Sequence, residues 1–320
     1  MAVFVSCQAL LACGAEQDAS PAKPAVPEFA RCVDVRDGET LLRPAGSFQV
    51  LYDLVYDPGQ PDELGRGDLY LPVGADGPVP TVLFIHGGGW TGGHKGLRNA
   101  VLLGEHLACM GVAMFDIDYD LASRSPMVEQ VRHTKCALRW LRGEAEQFGL
   151  DPQRIGVTGG SAGGHLTGLV ATTAGETLFD PTCDVHPGQP ADVAMAFPFY
   201  GIFDMVSMQE QRIDFTDNGE RYLGIENPTE ADWRVVSATT YASADDPPML
   251  LITGRGDALV PWQQAVEMGE ALDAVGVENE VLIVEGGQHG FDAFLNSPES
   301  RQALQALTAF VERHLLGKQP

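Results

Sequence analysis

Gly159-Gly160-Ser161-Ala162-Gly163 is the stretch of this chain richest in chemical meaning. A serine hydroxyl attacks a carbonyl when it stands exposed on a tight turn and a base takes its proton. Glycines two before and two after the serine clear side chains that would collide with that turn, and a strand before and a helix after make it a nucleophile elbow. The bland alternative is a glycine-rich turn in which Ser161 only caps a helix. A second run, His86-Gly87-Gly88-Gly89-Trp90, follows a continuous apolar stretch. Three glycines let the backbone pass close to a bound molecule. The N–H groups of Gly88 and Gly89, joined by that of Ala162, are the candidate oxyanion hole, in which one donor is worth on the order of 3 kcal/mol. A phosphate-binding loop would need a Gly-Lys-Ser/Thr ending, which this run lacks.

If the elbow belongs to the strand–turn–helix arrangement it suggests, the base follows the nucleophile in the chain. His289, in Gly286-Gly287-Gln288-His289-Gly290-Phe291, comes after the last apolar strand pattern, where a loop histidine can reach Ser161 and exchange its proton near neutral pH. Asp257, just past another apolar run, is placed to orient that histidine and stabilise its cation; its plainer role would be to cap the helix beginning near Pro261, and Asp204 is the reserve choice. His86 reads as a histidine fixing the glycine loop, and His165, one turn after Ser161, as a packing or supporting group. Trp90, Tyr200 and Phe291 are the expected pocket aromatics, with Phe199, Phe203 and Trp262 as weaker ones. No metal and no organic cofactor are expected.

The scaffold for these loops is legible as alternating patterns. Residues 48–56 and 67–72 read as two leading strands joined by a Pro/Gly turn, and 81–85 as a strand buried on both faces. A helix over 97–110 stops at Gly111, and a strand follows over 112–119. The pattern over 127–148, between Pro126 and Gly149, predicts one long helix. Strands are expected at 155–158, 193–200, 249–253 and 280–284, and helices at 161–173, 261–275 and 300–316. Strands separated by helices need crossover connections, hence an α/β fold with a mostly parallel central sheet and helices on both faces. Residues 201–246 are too many for a simple crossover and read as a small helical cap insertion.

The 320 residues, 44% apolar and 20% charged, suit a globular chain that can bury a full core. A net charge of −24 repels phosphate backbones, which excludes nucleic acid as a partner. None of the six cysteines lies at metal-ligand spacing. The apolar opening ends in Leu10-Leu11-Ala12-Cys13, similar to a bacterial lipobox. This predicts a signal segment over 1–13, a lipid anchor at Cys13 and an exported lipoprotein, with cytoplasmic residence as the alternative. A Pro/Ala-rich tether would occupy 14–40 and the main domain 41–317. The cysteines left, at 32, 109, 136 and 183, allow two disulfides whose pairing stays open.

With these pieces in place, the chain resembles the α/β-hydrolase esterases related to hormone-sensitive lipase and the bacterial carboxylesterases. The carriers are His86-Gly87-Gly88-Gly89-Trp90, Gly159-Gly160-Ser161-Ala162-Gly163-Gly164-His165-Leu166, the Asp257 segment and His289-Gly290-Phe291, and the resemblance runs over 48–316. It departs at Asp118-Tyr119-Asp120-Leu121, where such enzymes usually carry Tyr-Arg-Leu, which puts a local ion pair in doubt. The resemblance implies a serine-dependent carboxylic-ester hydrolase working through an acyl-enzyme on small or short-acyl esters, such as acetylated sugars or feruloyl esters. One alternative is a peptidase of the prolyl-oligopeptidase type, which usually carries a large propeller for which this chain has no room. The other is a non-catalytic binding module on the same fold.

Overall fold

The computed structural model describes residues 32–36, 39–43, 48–60, 64–211, 219–293 and 297–318. Its centre is β5 (Val79–Ile85), buried along its whole length. Leu83 and Ile85 face one core, with Val157 and Leu251; Val82 and Phe84 face the other, with Leu250 and Ile252. A strand buried at every position and mostly apolar is stable only where both faces are covered, each buried large apolar side chain contributing roughly 2 kcal/mol.

Around β5 the main sheet runs in the order β3 (Phe48–Val55), β4 (Arg66–Pro72), β6 (Ala113–Ile117), β5, β7 (Leu150–Gly159), β8 (Met195–Ala196), β9 (Met249–Gly254) and β10 (Asn279–Val284). The pairings from β6 to β10 are parallel, while β3 and β4 run antiparallel. Helices α1 (Arg98–Met110) and α9 (Pro298–His314) cover one face through Leu103, Leu107, Leu307 and Phe310. Helices α2 (Met127–Gly143), α4 (Ala162–Thr172) and α8 (Gln263–Val275) cover the other through Val131, Leu138, Leu166 and Met268. This is an α/β-hydrolase fold, in which the carboxyl ends of the parallel strands share one rim.

Several elements differ from the sequence expectation. The long helix over 127–148 breaks at Glu144 into α2 and α3 (Ala145–Phe148). There the His186 ring packs on Gly143 so closely that a Cβ would lie 2.2 Å from it. The strand expected over 193–200 pairs regularly only at β8, because Pro198 has no N–H for a ladder; Phe199 resumes with single bridges to Gly160 and Ile252. Helix α9 starts earlier than expected, with Ser297 Oγ accepting from Ser300 N at 3.0 Å and Pro298 in the first turn. Residues Cys32–Arg36 (β1) and Glu39–Arg43 (β2) form an antiparallel hairpin, so the end of the stretch read as a tether is ordered strand. The signal segment, Cys13 and the rest of the tether lie outside the described residues.

Among the described residues of the 201–246 stretch three short α-helices appear: α5 (Met205–Gln211), α6 (Gly219–Leu223) and α7 (Glu230–Val235). Cys136 and Cys183 form a disulfide that ties α2 to the loop after α4, and Cys109 is disulfide-bonded as well. Among the described residues no helix is long and apolar enough to cross a membrane.

Candidate active site

Strand β7 delivers Ser161 to the rim, and α4 starts at the next residue. Ser161 has φ 59° and ψ −120°, a conformation that side chains rarely adopt and that aims the hydroxyl away from the sheet. The turn fits only because β5 can touch it: a Cβ on Gly163 would lie 2.0 Å from the Ile85 carbonyl oxygen. The free N–H groups opening α4 favour negative charge beside Ser161.

The loop after β9 carries Asp257, which is 5% exposed. Its Oδ1 accepts from Leu259 N at 2.8 Å and Val260 N at 2.9 Å, so the loop backbone fixes the carboxylate. Its Oδ2 lies 2.7 Å from His289 Nδ1, on the loop after β10. A carboxylate only accepts, so Nδ1 is the donor and Nε2 is left as the acceptor. Ser161 Oγ, 3.0 Å from Nε2, donates to it. Three residues from three loops thus form one hydrogen-bonded line from carboxylate through imidazole to hydroxyl. The reserve residue Asp204 lies elsewhere in function: it accepts from Val206 N, Ser207 N and Thr239 Oγ1, holding the start of α5.

Opposite this line runs the glycine loop after β5. Gly88 has φ +126° and Gly89 φ +60°, and Gly88 carbonyl accepts from Thr91 N at 3.2 Å and Gly92 N at 3.1 Å. A Cβ on Gly88 would lie 2.1 Å from the Gly92 oxygen, so glycine is obligatory there. No acceptor among the described residues engages the N–H groups of Gly88, Gly89 or Ala162, which leaves them for a ligand.

Two buried histidines stiffen this side. His86 stacks on Tyr119 with ring centroids 4.3 Å apart, and its Nδ1 lies 2.7 Å from the Gly87 carbonyl. His165 accepts from Trp90 Nε1 at Nδ1 (3.1 Å) and donates from Nε2 to the Val236 carbonyl (2.7 Å), tying the glycine loop, α4 and the segment after α7 together. Burial holds both imidazoles neutral by lowering their pKa to about 4. Asp120, where a basic residue was expected, accepts from Leu121 N at 3.1 Å and from Ser125 Oγ, so its own turn satisfies it.

A cleft of about 610 Å³ opens over the line, a size suited to a small organic ligand. Gly88, Gly89, Ser161 and His289 form its floor; Trp90, Tyr200, Leu97, Ile202, Tyr222, Leu259 and Val260 form apolar walls. Trp90 and Tyr200 therefore stand where the sequence placed them. Phe291 does not: after Gly290 (φ +74°) the chain enters a 3-10 turn that sends its ring, 5% exposed, into the core beneath α9. Phe203 is core as well, and Trp262 stacks under the Arg255 guanidinium, 4.1 Å away. Ile202, Tyr222 and Leu259 carried no sequence signal, since Ile202 and Leu259 lie in irregular segments and Tyr222 in a five-residue helix too short for periodicity to reveal a facing direction. Among the described residues the one cluster with metal-ligand proximity is Asp57 with Cys136 and Cys183, whose sulfurs are spent in the disulfide.

Fold and site together define an α/β-hydrolase. The chain belongs to the BD-FAE family, whose model matches residues 67–272. Over 239 residues it is 32% identical to the probable carboxylic ester hydrolase LipM of Mycobacterium tuberculosis, covering 73% of this chain and 54% of LipM. The chain thus spans about half the length of that curated relative. A truncated carbohydrate esterase from gut microbiota superposes with a TM-score of 0.72 at 23% identity, over 84% of this chain and 98% of the other, which shows the shared fold. A thermophilic esterase of the planctomycete Thermogutta terrifontis superposes with a TM-score of 0.67 at 26% identity, over 83% of this chain and 92% of its own.

Proposed function

We propose that this protein is a serine carboxylesterase that hydrolyses small esters through an acyl-enzyme. The observation that carries the reading is the His289 imidazole, 3.0 Å from Ser161 Oγ on one side and 2.7 Å from Asp257 Oδ2 on the other. Ser161 Oγ attacks the ester carbonyl as His289 Nε2 takes its proton, and Asp257 stabilises the imidazolium. The N–H groups of Gly88, Gly89 and Ala162 receive the oxyanion. His289 then protonates the leaving alcohol. Water, deprotonated by the same imidazole, attacks the acyl-serine, and the acid departs with Ser161 reprotonated. Asp257 never needs to leave its ionised form, since both its oxygens already accept hydrogen bonds.

The esterase names of LipM and of the Thermogutta enzyme support the reaction class. The cleft's size and apolar walls support short-acyl substrates, with acetylated sugars and feruloyl esters as the classes to test. The test is a panel of p-nitrophenyl esters of rising acyl length, acetylated sugars and a feruloyl ester, each with wild type and Ser161→Ala. Turnover that favours short chains and is lost in Ser161→Ala is the expected result; no turnover of any ester by wild type overturns the reading.

We propose export with lipid attachment at Cys13 on separate grounds. The Cys136–Cys183 disulfide fits an oxidising compartment, which supports it. Metabolic labelling with tagged palmitate reads it directly: label on the full chain and none on Cys13→Ser is expected, and an unlabelled chain contradicts it.

A further inference from the structure

Tyr200 stands where three parts of the site meet. Its φ of +35° is a left-handed conformation that a tyrosine keeps only when its surroundings impose it. Its phenol lies against the nucleophile elbow, so that a Cβ on Gly160 would be 2.8 Å from the hydroxyl oxygen. Its ring centroid is 4.7 Å from that of His289. Its hydroxyl donates to Asp292 Oδ1 at 2.5 Å, and Asn99 Nδ2 on α1 donates to Asp292 Oδ2 at 3.1 Å. Asp292 follows His289 by one turn of chain, and Arg98 Nε pins the next carbonyl, that of Ala293, at 2.9 Å. Burial raises the Asp292 carboxyl above its ordinary range, while the donors from Tyr200 and Asn99, one on each oxygen, and the nearby His289 favour its ionised form.

We propose that Tyr200 and Asp292 are positioning residues for His289: they lock the imidazole between Ser161 and Asp257 and stabilise the cation it becomes on taking the serine proton. This rests on the esterase reading above. An imidazole that swings on its loop loses reach to the nucleophile, and the Tyr200–Asp292–Asn99 chain ties that loop to α1 and to the segment after β8. When the ring becomes positive, the tilted Tyr200 ring lies 4.7 Å away between centroids and a second carboxylate, Asp292, bears on it from its own loop. The groups that bear on it are Asp257 from the loop after β9, Ser161 from the elbow, Tyr200 from the segment after β8 and Asp292 from its own loop; α1 contributes the Arg98 cation and neutral Asn99. Of the negative groups, Asp292 is the one that can be neutralised without breaking the line from Asp257 to Ser161. The pocket role expected for Tyr200 thus becomes secondary, since its hydroxyl is committed to Asp292.

The experiment measures kcat and KM for p-nitrophenyl acetate from about pH 5 to about pH 9 for wild type, Ser161→Ala, Asp292→Asn, Tyr200→Phe and the double variant. Asp292→Asn is expected to move the midpoint of the acid limb of kcat/KM to lower pH by about half a unit, because the imidazolium loses a negative neighbour. Both single variants should lower kcat about tenfold with KM held within about twofold, the signature of an interaction made in the transition state. The double variant should be no worse than the weaker single one, because both remove the same interaction. Tyr200→Phe keeps the ring and the fold, so it carries the test if Asp292→Asn does not fold. Variants that lose thermal stability but keep the wild-type kcat and acid limb overturn the inference while leaving the esterase reading intact. A wild type without Ser161-dependent turnover overturns that reading, and this inference with it.

Discussion

At the level of single residues, the reactive rim depends on what glycine permits. Gly88 and Gly89 both have positive φ, yet only Gly88 is hemmed in: a Cβ there meets the Gly92 oxygen at 2.1 Å, while one on Gly89 meets nothing within 4 Å. Gly88→Ala must therefore shift backbone that holds the oxyanion donors, and kcat should fall on the order of a hundredfold with little change in KM. Gly89→Ala carries only conformational strain of about 1–2 kcal/mol and should cost far less activity. Steady-state kinetics on both variants decide this; equal, mild effects would remove the glycine loop from transition-state stabilisation. The residues on this line were legible in sequence because each sits in a short motif at a strand end, where chain order alone gives its side of the sheet. The Tyr200–Asp292 and Asn99–Asp292 bonds join residues 92 and 193 positions apart, and no local pattern encodes them. Phe291 was misplaced for a related reason: the motif fixes where the loop is, while the 3-10 turn after Gly290 decides which way the ring faces.

At the scale of elements, buried histidines are the rivets. His86 braces the glycine loop, His165 joins that loop to α4 and the segment after α7, and His133 on α2 accepts from Asp120 N at 2.9 Å beside the Tyr56 hydroxyl. Burial lowers the pKa of all three to about 4. The unfolded chain binds protons at these histidines near pH 6.5, so between there and about pH 4 it holds more protons than the fold does. Their contribution to stability is thus complete above about pH 6.5 and is lost as the pH falls towards 4. Asp116 acts in the opposite sense, because burial raises its carboxyl well above the usual range. Burial also raises the carboxyls of Glu105, Asp118, Asp246 and Asp292 and lowers His314, so the histidines are read by difference: between about pH 7 and about pH 5, His165→Gln should lose less unfolding free energy than wild type, by on the order of 1–2 kcal/mol. The same pH dependence of stability in wild type and His165→Gln contradicts the assignment. The elements themselves were mostly legible from periodicity. The exceptions involve contacts outside the local pattern: the ring of residue 186 packs on Gly143 where the 127–148 helix breaks, and Pro198 interrupts the β8 ladder.

At the scale of the whole molecule, eight strands and the helices on both faces serve to bring three loop side chains to one rim of the sheet, facing a loop of free amide protons. The sheet's class could be foreseen because strand and helix patterns alternate along the chain. The cap's place over the cleft could not, since α5 to α7 are too short to carry a facing pattern, although Tyr222 of α6 reaches the cleft wall. The charge of −24 spread over the chain bears on solubility and on the exclusion of polyanions, and the rim's chemistry does not depend on it. What the rim requires is a serine far more nucleophilic than any other in the chain. Intact-mass and peptide mass spectrometry after brief exposure to a fluorophosphonate measures that property directly. One phosphonate is expected, on the peptide bearing Ser161, and none in Ser161→Ala or after His289→Ala has removed the base; a wild type left unmodified, or modified elsewhere, would contradict Ser161 as the nucleophile.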